Sequence, residues 1–486
     1  MTFRTLPSLV LALAAAAPAP APATPLDIPV QITTLDNGLR VVVAPNHLVP
    51  TVAVSILYDV GSAVETPGHT GFAHLFEHMM FEGTANVGKT QHFAIVSEAG
   101  GFANGSTGPD HTDYYESVPR NAFELALWLE ADRMTALDLT EPNFENQRST
   151  VMRERQENVD NQPYYGSFLR INELAYGDYF AYAHPVIGDM ADLQAMPFQD
   201  TLAFFQTHYV PRNAVLCVAG DVEPAAALAA VQQYFGKIPG GEPPPFVLPD
   251  FPGQTAERTE TLVDPLAPLP AFHIVWHVPP FRSTDSYPLD LLATWLTDGE
   301  TAPLFRDLVK ERALVQQLSV GLDQRRGPDL FSIFAVLTPG HDGPEVRAAI
   351  DEWIARLAAD GIPENALLRA KNLHRARFLE SIRSNLRLAN ELARYQLYYG
   401  DARELLGELD RYAAVTVDDV KRVVATWLRP ENRTVLDVVP PPQQPEPEPE
   451  PQPAASPPPQ TGPEPPPAFS SNGQWPMAHG HSAPAP

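Results

Sequence analysis

Hydrophobic and polar positions follow two different periods along the chain. β-Branched residues dominate residues 32–43, and Asn37-Gly38 interrupts them with a pair typical of a hairpin turn. Residues 198–205 instead place apolar side chains three and four positions apart, as an amphipathic helix does. The pattern therefore predicts a chain that contains both strands and helices.

The order helix, turn, strand occurs twice. The helix at 198–205 leads through His208-Tyr-Val-Pro-Arg-Asn213 into an apolar strand, and the same order returns 219 residues later, from residue 417 through Trp427-Leu-Arg-Pro-Glu-Asn432. In both turns a proline stands two residues before an asparagine. We infer two copies of one unit and predict an α+β fold, in which each copy packs a mainly antiparallel sheet against helices.

Composition marks the ends of these units. A Pro/Gly-rich stretch predicts a linker at 241–258, between domains at 27–240 and 259–439. Residues 440–486 hold 18 prolines and four glutamates without any lysine or arginine, which predicts a disordered tail. Residues 1–24 place one arginine before an apolar run and Ala-Pro repeats, as a secretory signal peptide does. A disordered Ala/Pro leader is the alternative interpretation.

Charge and cysteine content exclude several classes of protein. The 486 residues carry a net charge of −26, which would repel phosphate backbones, so we expect no nucleic-acid partner. Cys217 is the one cysteine, which excludes an intramolecular disulfide and argues against a zinc site built from thiolates. No later stretch reaches the roughly 18 apolar residues of a membrane span.

A possible metal site lies in His74-Leu-Phe-Glu-His78, within good helix formers that end at Gly83. Because residues four apart lie on one helix face, both imidazoles can reach one metal ion. Glu77 projects close enough to act as a base toward a water on that metal without being a ligand. Two histidines paired with a glutamate on a buried helix face are the alternative.

A hydrolytic zinc site usually has three protein ligands, so one more donor is required. The helical stretch at 144–157 offers Glu145, Glu154 and Glu157. Spacing alone does not choose among them, since each could also be a solvated surface acid.

The sequence resembles the inverted-zincin peptidases, the family of pitrilysin, insulin-degrading enzyme and the mitochondrial processing peptidase. The resemblance covers roughly residues 27–440. Its motifs are Leu35-Asp-Asn-Gly-Leu39, His74-Leu-Phe-Glu-His78 with Phe81-Glu-Gly-Thr84, Gly100-Gly-Phe-Ala-Asn-Gly-Ser-Thr107, Trp128-Leu-Glu-Ala-Asp-Arg-Met134, Val151-Met-Arg-Glu-Arg155 and Ala219-Gly-Asp221.

The resemblance implies roles for particular residues. The family's third ligand, a glutamate about 76 residues after the second histidine, corresponds to Glu154. Many relatives carry a glutamate seven residues earlier, where this chain has Gln147, an uncharged residue that can still support a ligand. Gly101 and Asn104 fall on the edge strand along which relatives bind extended substrate. The implied fold is a pair of similar α+β domains that form half of a clamshell.

The second copy lacks the metal motif, because Asp290, Ala293 and Thr294 stand where the first copy has His74, Glu77 and His78. We expect one Zn²⁺ per chain. Larger relatives supply an arginine and a tyrosine from the distal half, and Val309 and Gln316 occupy those positions here. We therefore predict a dimer, with a related subunit that supplies the missing pair.

Together these features predict an exported zinc endopeptidase that hydrolyses unfolded peptides, with water on the zinc activated by Glu77, in a bacterial periplasm. The alternative is a noncatalytic binding or assembly subunit of the same fold. Such subunits usually have degraded motifs, whereas both histidines and the base are intact in this sequence.

Overall fold

The strands of the computed structural model, which describes residues 27–442, form two sheets. They are β1 (Gln31–Thr34), β2 (Arg40–Pro45), β3 (Thr51–Tyr58), β4 (Phe102–Thr107), β5 (Thr112–Pro119), β6 (Ala214–Gly220), β7 (Arg258–Val263), β8 (Ala271–Val278), β9 (Val315–Leu322), β10 (Asp329–Leu337) and β11 (Arg433–Val439). The orders are β1-β2-β6-β3-β5-β4 and β7-β11-β8-β10-β9, and only β2–β6 and β7–β11 run parallel. Apart from β1, the two sheets share one topology.

Helices cover both sheets. They are α1 (Phe72–Met79), α2 (Gln91–Glu98), α3 (Phe123–Ala136), α4 (Glu141–Arg155), α5 (Tyr165–Tyr176), α6 (Phe180–Ala183), α7 (Met190–Ala195), α8 (Phe198–His208), α9 (Pro224–Phe235), α10 (Ser286–Thr297), α11 (Pro303–Phe305), α12 (Gly343–Asp360), α13 (Glu364–Ser381), α14 (Asn385–Tyr399), α15 (Glu408–Ala414) and α16 (Val417–Trp427). The predicted α+β class and the duplication are confirmed.

The repeated asparagine explains why the two turns share a sequence pattern. Asn213 donates its side-chain amide to the carbonyl of His208, at the end of α8, and Asn432 does the same to Trp427, at the end of α16. Each amide also donates to a carbonyl at the end of a neighbouring strand, that of Asp59 just after β3 or that of His277, the last residue but one of β8. The same side chain therefore joins helix to sheet in both halves, because carbonyls at helix ends need donors.

Each half contributes helices to the sheet of the other. α14 of the second half covers one face of the first sheet, where Leu392 packs with Val42 and Cys217. In return, α5 and α6 of the first half cover the second sheet, where Ala175 packs with Val275. The central strands of each sheet are therefore buried on both faces, and separating the halves would expose apolar surface of both.

The predicted domain boundaries remain predictions. Residues 236–257, which include most of the predicted linker, form neither helix nor strand, and Phe246 and Phe251 pack against the aromatic cluster between the halves. The predicted signal peptide and residues 443–486 of the predicted tail lie outside the described residues. Within residues 27–442, no helix has both the length and the apolar character to cross a membrane.

Candidate metal centre

The residue before α1 has a left-handed backbone conformation. Gly71 precedes it with a φ of 87°, and a side chain there would lie 2.8 Å from the Cα of Gly188. The first backbone N–H groups of the helix have no intrahelical acceptor, and Glu65 supplies one from outside. Its carboxylate accepts from the N–H of Gly71 at 2.9 Å and of Ala73 at 2.8 Å. Glu65 thus fixes the beginning of the helix that carries the histidine pair.

The structure brings together the three predicted ligands. The rings of His74 and His78 lie 4.9 Å apart, on one face of α1. Glu154, in the last turn of α4, places Oε2 3.2 Å from Nε2 of His78 and Oε1 3.9 Å from Nε2 of His74. The three donor atoms all lie within 4.8 Å of one another. Among residues 27–442 only one other group of three potential ligands approaches this closely.

The pKa values of these groups respond to burial and to each other. Burial, followed by the charge of His78, lowers the pKa of His74 to about 4, so this imidazole is neutral near pH 7. Burial also acts to lower the pKa of His78, but its contacts with Glu154 outweigh it and the pKa lies above the ordinary value. The hydrogen bond from His78 in turn lowers the pKa of Glu154. His78 and Glu154 therefore share a proton at the position where a metal cation would bind.

The donor set fits zinc. Two imidazole nitrogens and one carboxylate are among the ligand sets of catalytic zinc sites, and tetrahedral bonds of 2.0–2.1 Å would separate ligand atoms by about 3.4 Å. The measured separations of 3.2 Å and 3.9 Å to Glu154 bracket that value. Buried Nδ1 of His74 has no partner among the described residues, whereas Nδ1 of His78 lies 3.3 Å from Oε1 of Gln147. Gln147 therefore contacts a ligand, as its predicted supporting role requires.

Glu77 lies beside the ligands but faces the sheet. Its Oε2 accepts a hydrogen bond of 2.6 Å from the hydroxyl of Thr107, the last residue of β4. Gly105 makes this approach possible, because a Cβ there would lie 3.3 Å from Cγ of Glu77. Burial raises the pKa of Glu77 above its ordinary value, against the effect of the Thr107 hydrogen bond. A carboxylate of raised pKa is suited to accept a proton near neutral pH.

The other two candidate glutamates lie elsewhere. Glu145 is exposed on α4 and pairs with Arg148 at 2.5 Å. Glu157 is exposed in the single π-helical turn Gln156–Asp160 that follows α4. Of the three acids that spacing left open, the structure brings only Glu154 to the histidines.

β4 is the outer strand of its sheet, and only β5 pairs with it among the described residues. Asn104 is exposed on this strand, directly opposite Tyr115 of β5, whereas Ala103, Gly105 and Thr107 alternate with it and face α1. Gly101 lies just before β4, where a Cβ would meet Cγ1 of Val118 at 2.7 Å. The predicted substrate contact of Asn104 and Gly101 would thus have to come mainly from backbone groups.

The second half has a different side-chain arrangement on the equivalent helix, α10. Asp290 accepts a hydrogen bond of 2.6 Å from Tyr412 and lies 3.7 Å from Nδ1 of His374. Ala293 is buried, and no group of three potential ligands forms in the second half of the described chain. Val309 packs against the second core, and Gln316 is exposed on the outer strand β9.

The other group of potential ligands consists of His92, Glu116 and Glu130, all buried. Arg133 already occupies this group, with Nε 2.9 Å from Glu130 and Nη2 3.6 Å from Glu116. The guanidinium also lies 4.4 Å from the centre of the Tyr114 ring. A cation of the protein itself therefore already pairs with these carboxylates, and the group forms a structural ion cluster.

A cavity of about 340 Å³ adjoins the metal ligands. Its lining includes His74, Thr107 and Glu154 together with apolar residues such as Val159, Leu169 and Ile187. The cavity has room for one large side chain beside the site.

Four residues around this centre carry no signal of their role in the sequence. Thr107 contacts Glu77, Glu82 contacts Gln147, Glu65 holds the start of α1, and His184 lies 3.1 Å from Glu65. Thr107 and Glu82 fall inside motifs quoted above, but their partners lie 30 and 65 positions away along the chain. Only the folded chain brings these pairs together.

Two family models match the chain. The model described as insulinase, peptidase family M16, matches residues 40–176, and the model described as the peptidase M16 inactive domain matches residues 196–373. The zinc protease PqqE of Helicobacter pylori is 28% identical over 412 residues, which are 84% of this chain and 92% of the relative. The beta subunit of the mitochondrial-processing peptidase of Blastocladiella emersonii is 26% identical over 429 residues, which are 85% of this chain and 90% of the relative.

Solved structures share the fold. The crystal structure of a protease from Helicobacter pylori has a TM-score of 0.80 at 27% identity and covers 85% of this chain and 99% of its own. The periplasmic protease PqqL from Escherichia coli has a TM-score of 0.70 at 16% identity and covers 86% of this chain, but only 48% of its own. The matched parts of these structures share the two-domain α+β fold of this chain.

Proposed function

Since the chain belongs to the M16 peptidase family, we propose that it is a zinc-dependent endopeptidase that hydrolyses unfolded peptides. The observation that carries this proposal is the convergence of His74, His78 and Glu154 from two helices, with Glu77 on the same helix as the histidines. The names of the relatives, zinc proteases and a processing peptidase, support zinc and peptide hydrolysis. The family model described as inactive matches residues 196–373, which include most of the second half and none of the three ligands.

His74, His78 and Glu154 would hold one zinc ion, which when bound supplies a Lewis acid that polarises the scissile carbonyl and makes water more acidic. Glu77 supplies the base. Thr107 occupies its Oε2, so Oε1 is free to take a proton from the attacking water. The same carboxyl then passes that proton to the leaving amine, and no covalent intermediate is required.

The substrate would bind as an added strand. The outer edge of β4 ends at Thr107, which touches Glu77, so a peptide paired with this edge would run past the base. Only an extended segment can pair in this way, which favours unfolded peptides. The neighbouring cavity of about 340 Å³ would then receive one substrate side chain.

We further propose one zinc per chain and a dimer with a related subunit, in a bacterial periplasm. The chain is about half as long as the periplasmic protease PqqL, of which it covers 48%. Two such chains would supply the amount of structure that the longer relative has in one. Full peptidase activity of this chain as a monomer would contradict the dimer.

The test is metal analysis of the purified protein together with hydrolysis of a quenched fluorescent peptide. We expect bound zinc, activity that a chelator abolishes and added zinc restores, and loss of zinc in His74→Ala. Glu77→Gln should keep zinc but lose about 10²-fold to 10⁴-fold in turnover. Glu157→Gln, which removes an exposed acid near the site, is the control and should behave as wild type.

A protein that carries no zinc, or that hydrolyses no peptide in the presence of zinc, would exclude the proposal and favour a noncatalytic subunit. Normal turnover by Glu77→Gln would remove that residue from the mechanism.

A further inference from the structure

A chain of buried polar contacts leads away from the metal centre through Gln147. Its Oε1 lies 3.3 Å from Nδ1 of His78, and its Nε2 donates to Oε1 of Glu82 at 2.5 Å. Glu82 follows α1 and its side chain is 3% exposed, yet Nζ of Lys89 reaches it at 2.5 Å. A ligand is thus joined through a neutral amide to a buried carboxylate, and from there to a surface cation.

The chemistry of these groups fixes the direction of each hydrogen bond. An ionised carboxylate can only accept, so the amide must turn its NH₂ group toward Glu82 and its oxygen toward His78. That oxygen can also only accept, so His78 must carry its hydrogen on Nδ1. The proton that His78 gives up when it binds a metal must then come from Nε2, the atom that shares it with Glu154 at 3.2 Å, and the lone pair is left on that nitrogen. The carboxylate of Glu82 therefore selects the form of His78 that can bind a metal.

We propose that Glu82 is a positioning residue of the metal centre, which acts through Gln147 to hold His78 in its metal-binding tautomer; this rests on the proposed zinc site. Without the carboxylate, the amide can turn over and present its NH₂ group to Nδ1 of His78. The hydrogen of the imidazole then moves to Nε2, where it blocks the metal. Outer contacts of this kind typically change metal affinity about 10-fold to 100-fold.

Packing alone does not account for Glu82. A carboxylate that is 3% exposed loses most of its hydration, and an apolar residue would fill the same space without that loss. Its buried partner Gln147 is likewise polar and contacts a ligand. A role in the metal centre therefore explains the buried polar pair of Glu82 and Gln147 better than packing does.

The test exchanges the two side chains. Glu82→Gln removes the obligatory acceptor, and Gln147→Glu places two carboxylates in contact, so each should raise the zinc dissociation constant about 10-fold to 100-fold. In the double variant Glu82→Gln/Gln147→Glu, the new carboxylate would accept from both His78 and the new amide. This variant should recover most of the lost affinity.

Zinc affinity is measured by competition with a chelator, and the unfolding midpoint is measured on the metal-free proteins. At saturating zinc, Glu82→Gln should regain the turnover of wild type, because Glu82 acts on zinc binding and not on the chemical step. The control is Glu145→Gln, an exposed acid on α4 two residues from Gln147, which should bind zinc as wild type does.

A wild-type dissociation constant in Glu82→Gln would overturn the inference, as would a double variant that binds no better than the weaker single variant. If Glu82→Gln fails to fold, the double variant decides, since recovery of both folding and affinity requires the exchanged pair to act as proposed. A wild-type protein without zinc would instead refute the proposed function, and with it this inference.

Discussion

Replacing Glu65 by glutamine should loosen the start of α1 and thereby weaken the whole centre. The side chain of Glu65 is 1% exposed and that of its partner His184 is 4% exposed. Its two oxygens accept from three donors, the N–H groups of Gly71 and Ala73 and Nε2 of His184, the last at 3.1 Å. The other ring nitrogen of His184 lies 2.7 Å from the carbonyl of Phe180, so both nitrogens are engaged.

The magnitude follows from the number of donors. Glutamine keeps one accepting oxygen, so at least one of the three donors loses its acceptor and faces an NH₂ group. Hydrogen bonds to a charged group contribute about 1.5–3 kcal/mol each, and those to a neutral group about 0.5–1.5 kcal/mol. Breaking a buried ion pair by removing one partner costs about 3–5 kcal/mol. We therefore expect the free energy of unfolding of Glu65→Gln to fall by about 3–5 kcal/mol.

The assay is urea unfolding of the metal-free protein followed by helical circular dichroism, so that loss of zinc does not enter the result. Glu98→Gln is the matched control, because Glu98 is exposed at the end of α2. It should change the free energy of unfolding by no more than about 0.5 kcal/mol. Zinc affinity, measured on the same samples, should fall in Glu65→Gln alone.

The double variant Glu65→Gln/His184→Gln separates the ion pair from the helix cap. Because His184 loses its acceptor in Glu65→Gln, the double variant should be less destabilised than the sum of the two single variants. A loss in Glu65→Gln below about 1 kcal/mol, similar to a surface substitution, would refute the reasoning.

Two further predictions concern the base and the pH dependence of stability. Thr107→Val should lower turnover about tenfold to a hundredfold at unchanged zinc content, because Glu77 loses a charge-assisted hydrogen bond. Thr107→Ser keeps the hydroxyl and should retain activity. Equal turnover of the two variants would contradict this prediction. Burial lowers the pKa of His184, but Glu65 outweighs it and the pKa lies above the ordinary value of 6.5. A group whose pKa is raised in the folded state stabilises the fold at pH values below its unfolded pKa. It loses that contribution as pH rises through the folded pKa. The difference in the free energy of unfolding between wild type and His184→Gln should therefore shrink above about pH 6.5. Urea unfolding across that range measures the difference, and a difference that grows with pH would show that the sign is wrong.

Helical periodicity was sufficient to predict the residues of the centre that lie within one helix. His74, Glu77 and His78 are four residues apart at most, so helical geometry alone predicts a shared face. Glu154 lies 76 residues beyond His78, and spacing alone could not choose the third ligand among the three acids of that stretch. Resemblance to a family pointed to Glu154, and the packing of α4 beside α1 brings that residue to the histidines.

The duplication was visible because its turns use side chains with a specific structural role. Asn213 and Asn432 each join a helix end to a strand, and few other residues can donate to two carbonyls at once. The exchange of α5 and α14 between the halves was not visible. An amphipathic pattern predicts that a helix buries one face, but it does not tell which sheet covers that face.

The buried carboxylates of Glu65 and Glu82 lie near the two ends of α1, where both can hold the helix against rotation. A helix rotated by roughly 10° would move an imidazole nitrogen about 6 Å from its axis by about 1 Å, enough to spoil a metal site. Glu65 fixes the first turn, and the contact of Glu82 with Gln147 fixes the position of His78 near the last turn.

The second half provides an internal comparison. α10 has the same place in the topology but carries no metal ligands, and the segment before it, residues 279–285, contains a single acid, Asp285. That acid accepts from Arg422 and Trp427 of α16 and makes no cap hydrogen bond to α10. The fold therefore forms without a carboxylate cap at the start of this helix. If the proposed zinc site is correct, the presence of buried carboxylates at α1 follows from the requirement to hold His74 and His78 in register with Glu154.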